Sequence, residues 1–74
     1  MMKQDLAQKL NSMYHNAPQG EKVLMIHIFG IKYSEDIKVC GASAKEIAIS
    51  ANINESYGTE IQKGIKLAKY VDIK

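Results

Sequence analysis

A group of hydrogen-bonding side chains after Ile53, with lysines on either side, has the residue types best suited to a binding function. Its members are Lys45, Asn54, Glu55, Ser56, Tyr57, Thr59, Glu60 and Lys63. Ser, Thr and Asn side chains suit base edges or phosphates, and a Glu carboxylate accepts from cytosine but is repelled by phosphate. Tyr hydroxyls and Lys ammonium groups suit the phosphate backbone. These side chains would suit contact with nucleic acid if one helix presented them together; the alternative is that they are ordinary solvated helix residues.

Catalytic chemistry has no comparable support in the sequence. There is no Ser-His-Asp arrangement, no Cys-His pair with supporting context and no glycine-rich phosphate loop. The single Cys40 excludes an internal disulfide framework and is typical of a reducing compartment and a small core residue. His27 has no second His, Cys or Asp at ligand spacing, so we expect a core or interface histidine. We therefore expect no enzyme and no cofactor, metal or small-molecule substrate.

The polar group lies within residues 43–64, whose pattern predicts a helix-turn-helix. Ser43 and Glu46 have capping-box spacing at the start of the first helix. Asn52 stands where the turn needs a residue that tolerates positive φ. Asn54 is a good N-cap for the second helix. An inward stripe of small and aliphatic residues supports both helices: Ala44, Ile47, Ala48, Ala51, Ile61, Ile65 and Ala68.

Residues 46–64 resemble the helix-turn-helix of phage-repressor-type (lambda-like) DNA-binding domains. The register is carried by Glu46, Ile47, Ala48, Ala51, Asn52, Ile61 and Gly64. The sequence departs from that pattern at Asn52, where Gly is commoner, and at Gly58, where the motif has an inward Val or Ile. The stretches HIFGIKY and SYGTEIQKG also resemble small bacterial proteins with a helix-turn-helix-like domain. The resemblance implies that the second helix enters the major groove with its first residues against base edges.

The remaining segments also favour helices. Residues 2–16 form an amphipathic pattern, and residues 34–41 predict a short helix. Residues 21–33, EKVLMIHIFGIKY, have strand-favouring side chains, but a lone strand has no partner elsewhere in the sequence. We therefore expect a helix there, packed across the helix-turn-helix. The prediction is an all-α fold of four or five short helices in one domain of residues 1–74, with the helix-turn-helix at its C-terminal end.

As a helix, residues 21–33 would be apolar nearly all round. Such a helix is normally buried on several sides, and the other short helices cannot cover it completely. A chain of 74 residues is also often marginally stable alone. We therefore predict a homodimer with four residues of this helix at the interface: Leu24, Ile28, Phe29 and Ile31. Gly30 predicts either the close approach of a neighbouring helix or a kink.

The C-terminal part of the chain is the most basic, with Lys63, Lys66, Lys69 and Lys74. Its apolar spacing predicts that the second motif helix continues through Gly64 to about residue 69, and the alternative is an extended tail. All ten basic residues are lysines and the net charge is only +2, so bidentate Arg contacts to guanine are excluded. Lysine can still neutralise phosphates as a point charge.

Membrane and secretory functions are not expected. The N-terminus is polar and lacks a secretory apolar region. The longest apolar run, Val23 to Ile31, spans about nine residues and is broken by His27, whereas a transmembrane helix needs about 20. We expect a cytoplasmic protein. The first hypothesis is a small DNA-binding transcriptional regulator that binds double-stranded DNA as a homodimer. The second, favoured by the missing Arg and by Glu55 and Glu60, is a helix-turn-helix module that binds another protein.

Overall fold

Helices account for all the regular structure in residues 1–73, the part of the chain that the computed structural model describes. They are α1 (Lys3–His15), α2 (Lys22–Lys32), α3 (Ser34–Val39), α4 (Ala44–Ser50), a 3₁₀ turn (Glu55–Tyr57) and α5 (Gly58–Leu67). The all-α prediction is confirmed, and the ambiguous segment is the helix α2. Lys74, the last residue of the predicted basic tail, lies outside the described residues. No helix in residues 1–73 is long and apolar enough to cross a bilayer.

The core forms where α1, α2, α4 and α5 meet. α2 packs against both α1 and α5, and α4 packs against α1 and α5. The third helix expected across the helix-turn-helix is therefore present as α2. The largest fully buried side chains are Leu6, Leu10, Ile26, Phe29, Ile47 and Ile61. Each comes from the inward stripe of its own helix, as helical periodicity requires.

The predicted dimer interface is wrong at one of its four residues, Phe29. Its side chain is fully buried in the monomer, and its ring centroid lies 5.4 Å from that of Tyr33. It cannot contact a second copy of this fold, so its assignment to the interface was wrong. The reason lies in α2 itself, where apolar residues occupy every side and the sequence alone does not show which side faces the core.

α2 keeps a second apolar face that the other helices leave open. Leu24 is 49% exposed, and Ile28 and Ile31 are only partly buried. These three residues are separated by three or four positions and therefore share one side of the helix. We call Leu24, Ile28 and Ile31 the outer face of α2. The prediction that short neighbouring helices cannot cover α2 completely is confirmed by these exposures.

α2 and α5 cross at two glycines. A Cβ atom on Gly30 would lie 2.5 Å from the carbonyl oxygen of Ile61 and 2.9 Å from the Cα of Gly64. In the reciprocal direction, a Cβ atom on Gly64 would meet the carbonyl oxygen of His27. Of the two explanations for Gly30, close approach of a helix is the correct one. The glycine pair fixes how near α5 lies to α2.

Candidate nucleic-acid interface

The first helix of the motif begins and ends as its sequence predicts. The Glu46 amide donates to the Ser43 hydroxyl at 3.1 Å, and the Ser43 amide donates to the Glu46 carboxylate at 2.9 Å. The hydrogen bond from the Ser43 amide, with that of its hydroxyl, lowers the pKa of Glu46. Asn52 adopts φ +64°, the left-handed conformation expected of the turn residue. A capping box thus starts the first helix of the motif, and Asn52, a residue type that tolerates positive φ, forms the turn after it.

The second helix starts later than predicted. Asn54 accepts a hydrogen bond from the Ser56 amide at 2.9 Å, but it caps the 3₁₀ turn, and α5 begins only at Gly58. A Cβ atom on Gly58 would lie 3.0 Å from the Cα and amide nitrogen of Lys45. The inward Val or Ile that the repressor motif has at this position would not fit between the first residues of α5 and the first residues of α4. At its other end α5 runs through Gly64 to Leu67, which confirms continuation and excludes an extended segment directly after Gly64.

α5 and the preceding turn expose one continuous row of polar side chains. The side chains of this row are three or four positions apart and therefore lie on one side of the helix, opposite the buried Ile61 and Gly64. The row, called the polar stripe from here on, consists of Ser56, Thr59, Gln62, Lys63 and Lys66. Gln62 and Lys66 were not among the predicted contact residues. Counting one and two helical turns on from Thr59 in the sequence would have identified Gln62 and Lys66.

Both acidic residues predicted among the DNA contacts have basic partners, and Glu60 lies off this stripe. The Glu60 carboxylate is 2.7 Å from His27 Nε2 on α2, and the Lys63 ammonium donates to it at 3.2 Å. Its side chain is 21% exposed, so Glu60 belongs mainly to the contact between α5 and α2. Glu55 lies 4.0 Å from the Lys45 ammonium in an exposed pair. Each carboxylate therefore stands beside a basic side chain.

Comparison with known families gave a match over nearly the whole chain. A family model described as HTH-like domain matches residues 2–74. The chain belongs to the HTH-like domain family. A search of curated proteins gave no match, and a search of solved structures gave none either. Family membership agrees with the helix-turn-helix resemblance of the sequence, while the narrower similarity to phage-repressor domains stays a prediction.

Tyr57 has a structural position in this HTH-like domain. Its ring centroid is 5.6 Å from that of Tyr14 on α1, and its side chain is partly buried. Hydrogen bonding to Tyr14 raises the pKa of Tyr57. The phosphate contact at Tyr57 stays a prediction, and the ring that would make it packs against α1. The predicted contacts that are exposed are Lys45, Asn54, Glu55, Ser56, Thr59 and Lys63.

The His27–Glu60 contact gives the HTH-like domain a defined pH dependence. The hydrogen bond to His27, and next the one to Lys63, lower the pKa of Glu60 from its ordinary value of 4.5. The ionised carboxylate therefore adds stability that is complete above that ordinary value and is lost as the pH falls through the lower folded-state pKa. Glu60→Gln is expected to lower the Tm at neutral pH, with the difference from the wild type vanishing in acid.

Thermal unfolding followed by circular dichroism from neutral to acidic pH measures this difference. Glu55→Gln is the matched control, since within residues 1–73 the Glu55 carboxylate has a single ion pair, the exposed 4.0 Å contact with Lys45. The control should change the Tm little at any pH. A Glu60→Gln deficit of constant size across the whole titration would contradict the assigned role of the carboxylate.

Proposed function

We propose that this HTH-like domain protein is a small DNA-binding transcriptional regulator, working as one domain, with a binding and not an enzymatic role. The observation that supports this most directly is the polar stripe. It presents hydroxyl and amide groups, followed by lysines, on the exposed side of α5 and of the preceding turn, and the Glu60 carboxylate beside Lys63 is bound to His27. The acidic residues that argued against DNA in the sequence are paired with His27, Lys63 and Lys45 instead.

In the proposed complex, α5 lies in the major groove of double-stranded DNA. Ser56, Thr59 and Gln62 then face base edges, where hydroxyl and amide groups form specific hydrogen bonds. Lys63 and Lys66 supply phosphate contacts, and Lys45 on α4 supplies another at the flank. The buried residues of α5 remain packed on α2 and α4. Affinity would come mainly from lysine–phosphate contacts and would depend strongly on salt.

The outer face of α2 is the proposed homodimer interface. It is apolar and partly exposed in the monomer, and burial of such surface drives association. Ser56, Thr59 and Gln62 of the stripe lie opposite the buried residues of α5, so pairing through the outer face of α2 leaves these side chains free in both copies. Two copies of α5 would enter successive major grooves about 34 Å apart on a pseudo-palindromic site. Sedimentation equilibrium tests this part, and a chain that remains monomeric at high concentration would contradict it.

DNA binding itself is tested by fluorescence anisotropy with mixed short duplexes between about 50 and 200 mM salt. We expect affinity that falls steeply with salt. Lys66→Ala should weaken binding to all sequences about equally. It should also reduce the slope of log affinity against log salt concentration by roughly one for each protein copy bound. Lys63→Ala should reduce the slope less, because Glu60 already lies 3.2 Å from that ammonium.

Lys38→Ala serves as the control for a lost positive charge. Lys38 lies on α3, whose main contacts are with α1 and α2. This variant should keep the wild-type slope. An equal loss of slope in Lys38→Ala and Lys66→Ala would mean that the polar stripe is not the DNA-binding surface.

The second candidate function is a protein-interaction module. The outer face of α2 favours it, since an open apolar surface suits a protein partner as well as a second copy. The low net charge and the lack of Arg point the same way. Absence of DNA binding even at low salt would support this function over the first, and a pull-down would then look for the partner.

A further inference from the structure

We propose that Gln62 is the base-specifying residue of the polar stripe and that it recognises adenine in the major groove. This inference rests on the proposed DNA binding and goes beyond it, because it assigns sequence preference to one side chain. Gln62 was not among the contacts predicted from the sequence. It lies one helical turn after Thr59 on the exposed side of α5.

Two other members of the stripe, Thr59 and Lys63, have side-chain hydrogen-bond partners inside the protein. The Thr59 hydroxyl donates to the Ser56 carbonyl at 2.9 Å, so its hydrogen is already used. The Lys63 ammonium donates to Glu60 at 3.2 Å. Ser56 lies in the 3₁₀ turn, where its backbone amide donates to the Asn54 side chain at 2.9 Å. Among the side-chain hydrogen bonds of residues 1–73, none involves Gln62, which leaves its amide available to a ligand.

The side-chain amide of Gln62 has the hydrogen-bonding groups that match adenine better than the other bases. A glutamine side chain carries a donor and an acceptor in one plane, and this pair matches N7 and N6 of adenine in the major groove. Guanine presents two acceptors and no donor in the major groove, so it would leave the amide oxygen of Gln62 without a partner. Lys63 and Lys66 follow Gln62 closely on α5, where phosphate contacts from them would fix the helix relative to the bases.

The experiment begins by selecting preferred sites for the wild-type protein from randomised duplexes at low salt. Anisotropy titrations then compare the wild type, Gln62→Ala and Gln62→Glu on the selected site and on versions with each adenine replaced. We expect Gln62→Ala to lose roughly 5- to 150-fold affinity for the selected site and to become indifferent to one adenine. Gln62→Glu should prefer cytosine at that position, because a carboxylate accepts from cytosine N4.

Gln19→Ala, in the exposed loop between α1 and α2, is the matched control and should keep the wild-type preference. Circular dichroism checks that each variant is folded, which is expected for substitutions at exposed positions. Wild-type binding whose base preference is unchanged in Gln62→Ala, or wild-type binding without any preference, would overturn this inference and leave DNA binding intact. Failure of the wild type to bind any duplex would overturn both.

Discussion

Phe29→Ala is expected to lower the free energy of unfolding by about 3–5 kcal/mol, because it removes a large core ring and leaves a cavity. The ring is fully buried, on the side of α2 that faces the core together with Ile26. A folded domain of ordinary stability has about 5–15 kcal/mol in total, so this variant would be close to unfolding at room temperature. Urea denaturation followed by circular dichroism measures the loss through the midpoint and slope.

Leu24→Ala is the matched control on the same helix. Leu24 is 49% exposed on the outer face, so its truncation should change the unfolding of the monomer far less than that of Phe29. Leu24→Asp should instead weaken association, because it places a charge in the proposed interface. If Phe29→Ala unfolded like the wild type and only dissociated, the ring would belong to an interface and the core described here would be incorrect.

The features that sequence predicted well are those set by local physics. The capping box of Ser43 and Glu46 requires only three-residue spacing and two suitable side chains. The positive φ of Asn52 follows from the few residue types that tolerate it. The existence of the helices follows in the same way from apolar periodicity, including the continuation of α5 through Gly64.

The features that sequence missed depend on contacts between distant segments. Glu60 was expected to face DNA because it lies one turn after Ser56, but its partner His27 is 33 positions away in the chain. The contact between Tyr57 and Tyr14 is likewise made only when α1 packs beside the motif. Phe29 shows the same limit, since α2 is apolar on all sides and only its packing against α1 and α5 decides which side is core.

Gly64→Ala is expected to lower the free energy of unfolding by about 1–3 kcal/mol, the usual cost of overpacking. A loss of stability would be informative, because alanine in a helix normally raises the free energy of unfolding by up to about 1 kcal/mol relative to glycine. Here the added methyl would meet the His27 carbonyl oxygen and lie 2.9 Å from the Gly30 Cα. These are backbone atoms, which can give way only if α2 and α5 move apart. Urea denaturation of the variant measures the cost.

The companion substitutions test whether helix separation is the cause. Gly30→Ala should cost a similar amount, since its Cβ would lie 2.5 Å from the Ile61 carbonyl oxygen. Gly58→Ala, with its nearest contacts at 3.0 Å, should cost less. The Gly30→Ala/Gly64→Ala double variant should lose less stability than the sum of the two single losses, because one separation of the helices relieves both overlaps. Strictly additive losses would contradict a shared cause.

The same crossing links stability to the proposed DNA binding. α5 carries the polar stripe on one side and is held by Gly30 of α2 on the other, so moving α5 away from α2 also displaces the stripe relative to Lys45 on α4. At a temperature where circular dichroism shows Gly64→Ala to be folded, its affinity for every duplex should still be lower than that of the wild type. Wild-type affinity in the folded variant would show that the glycine pair supports the fold alone, and that the stripe tolerates a shift of its helix.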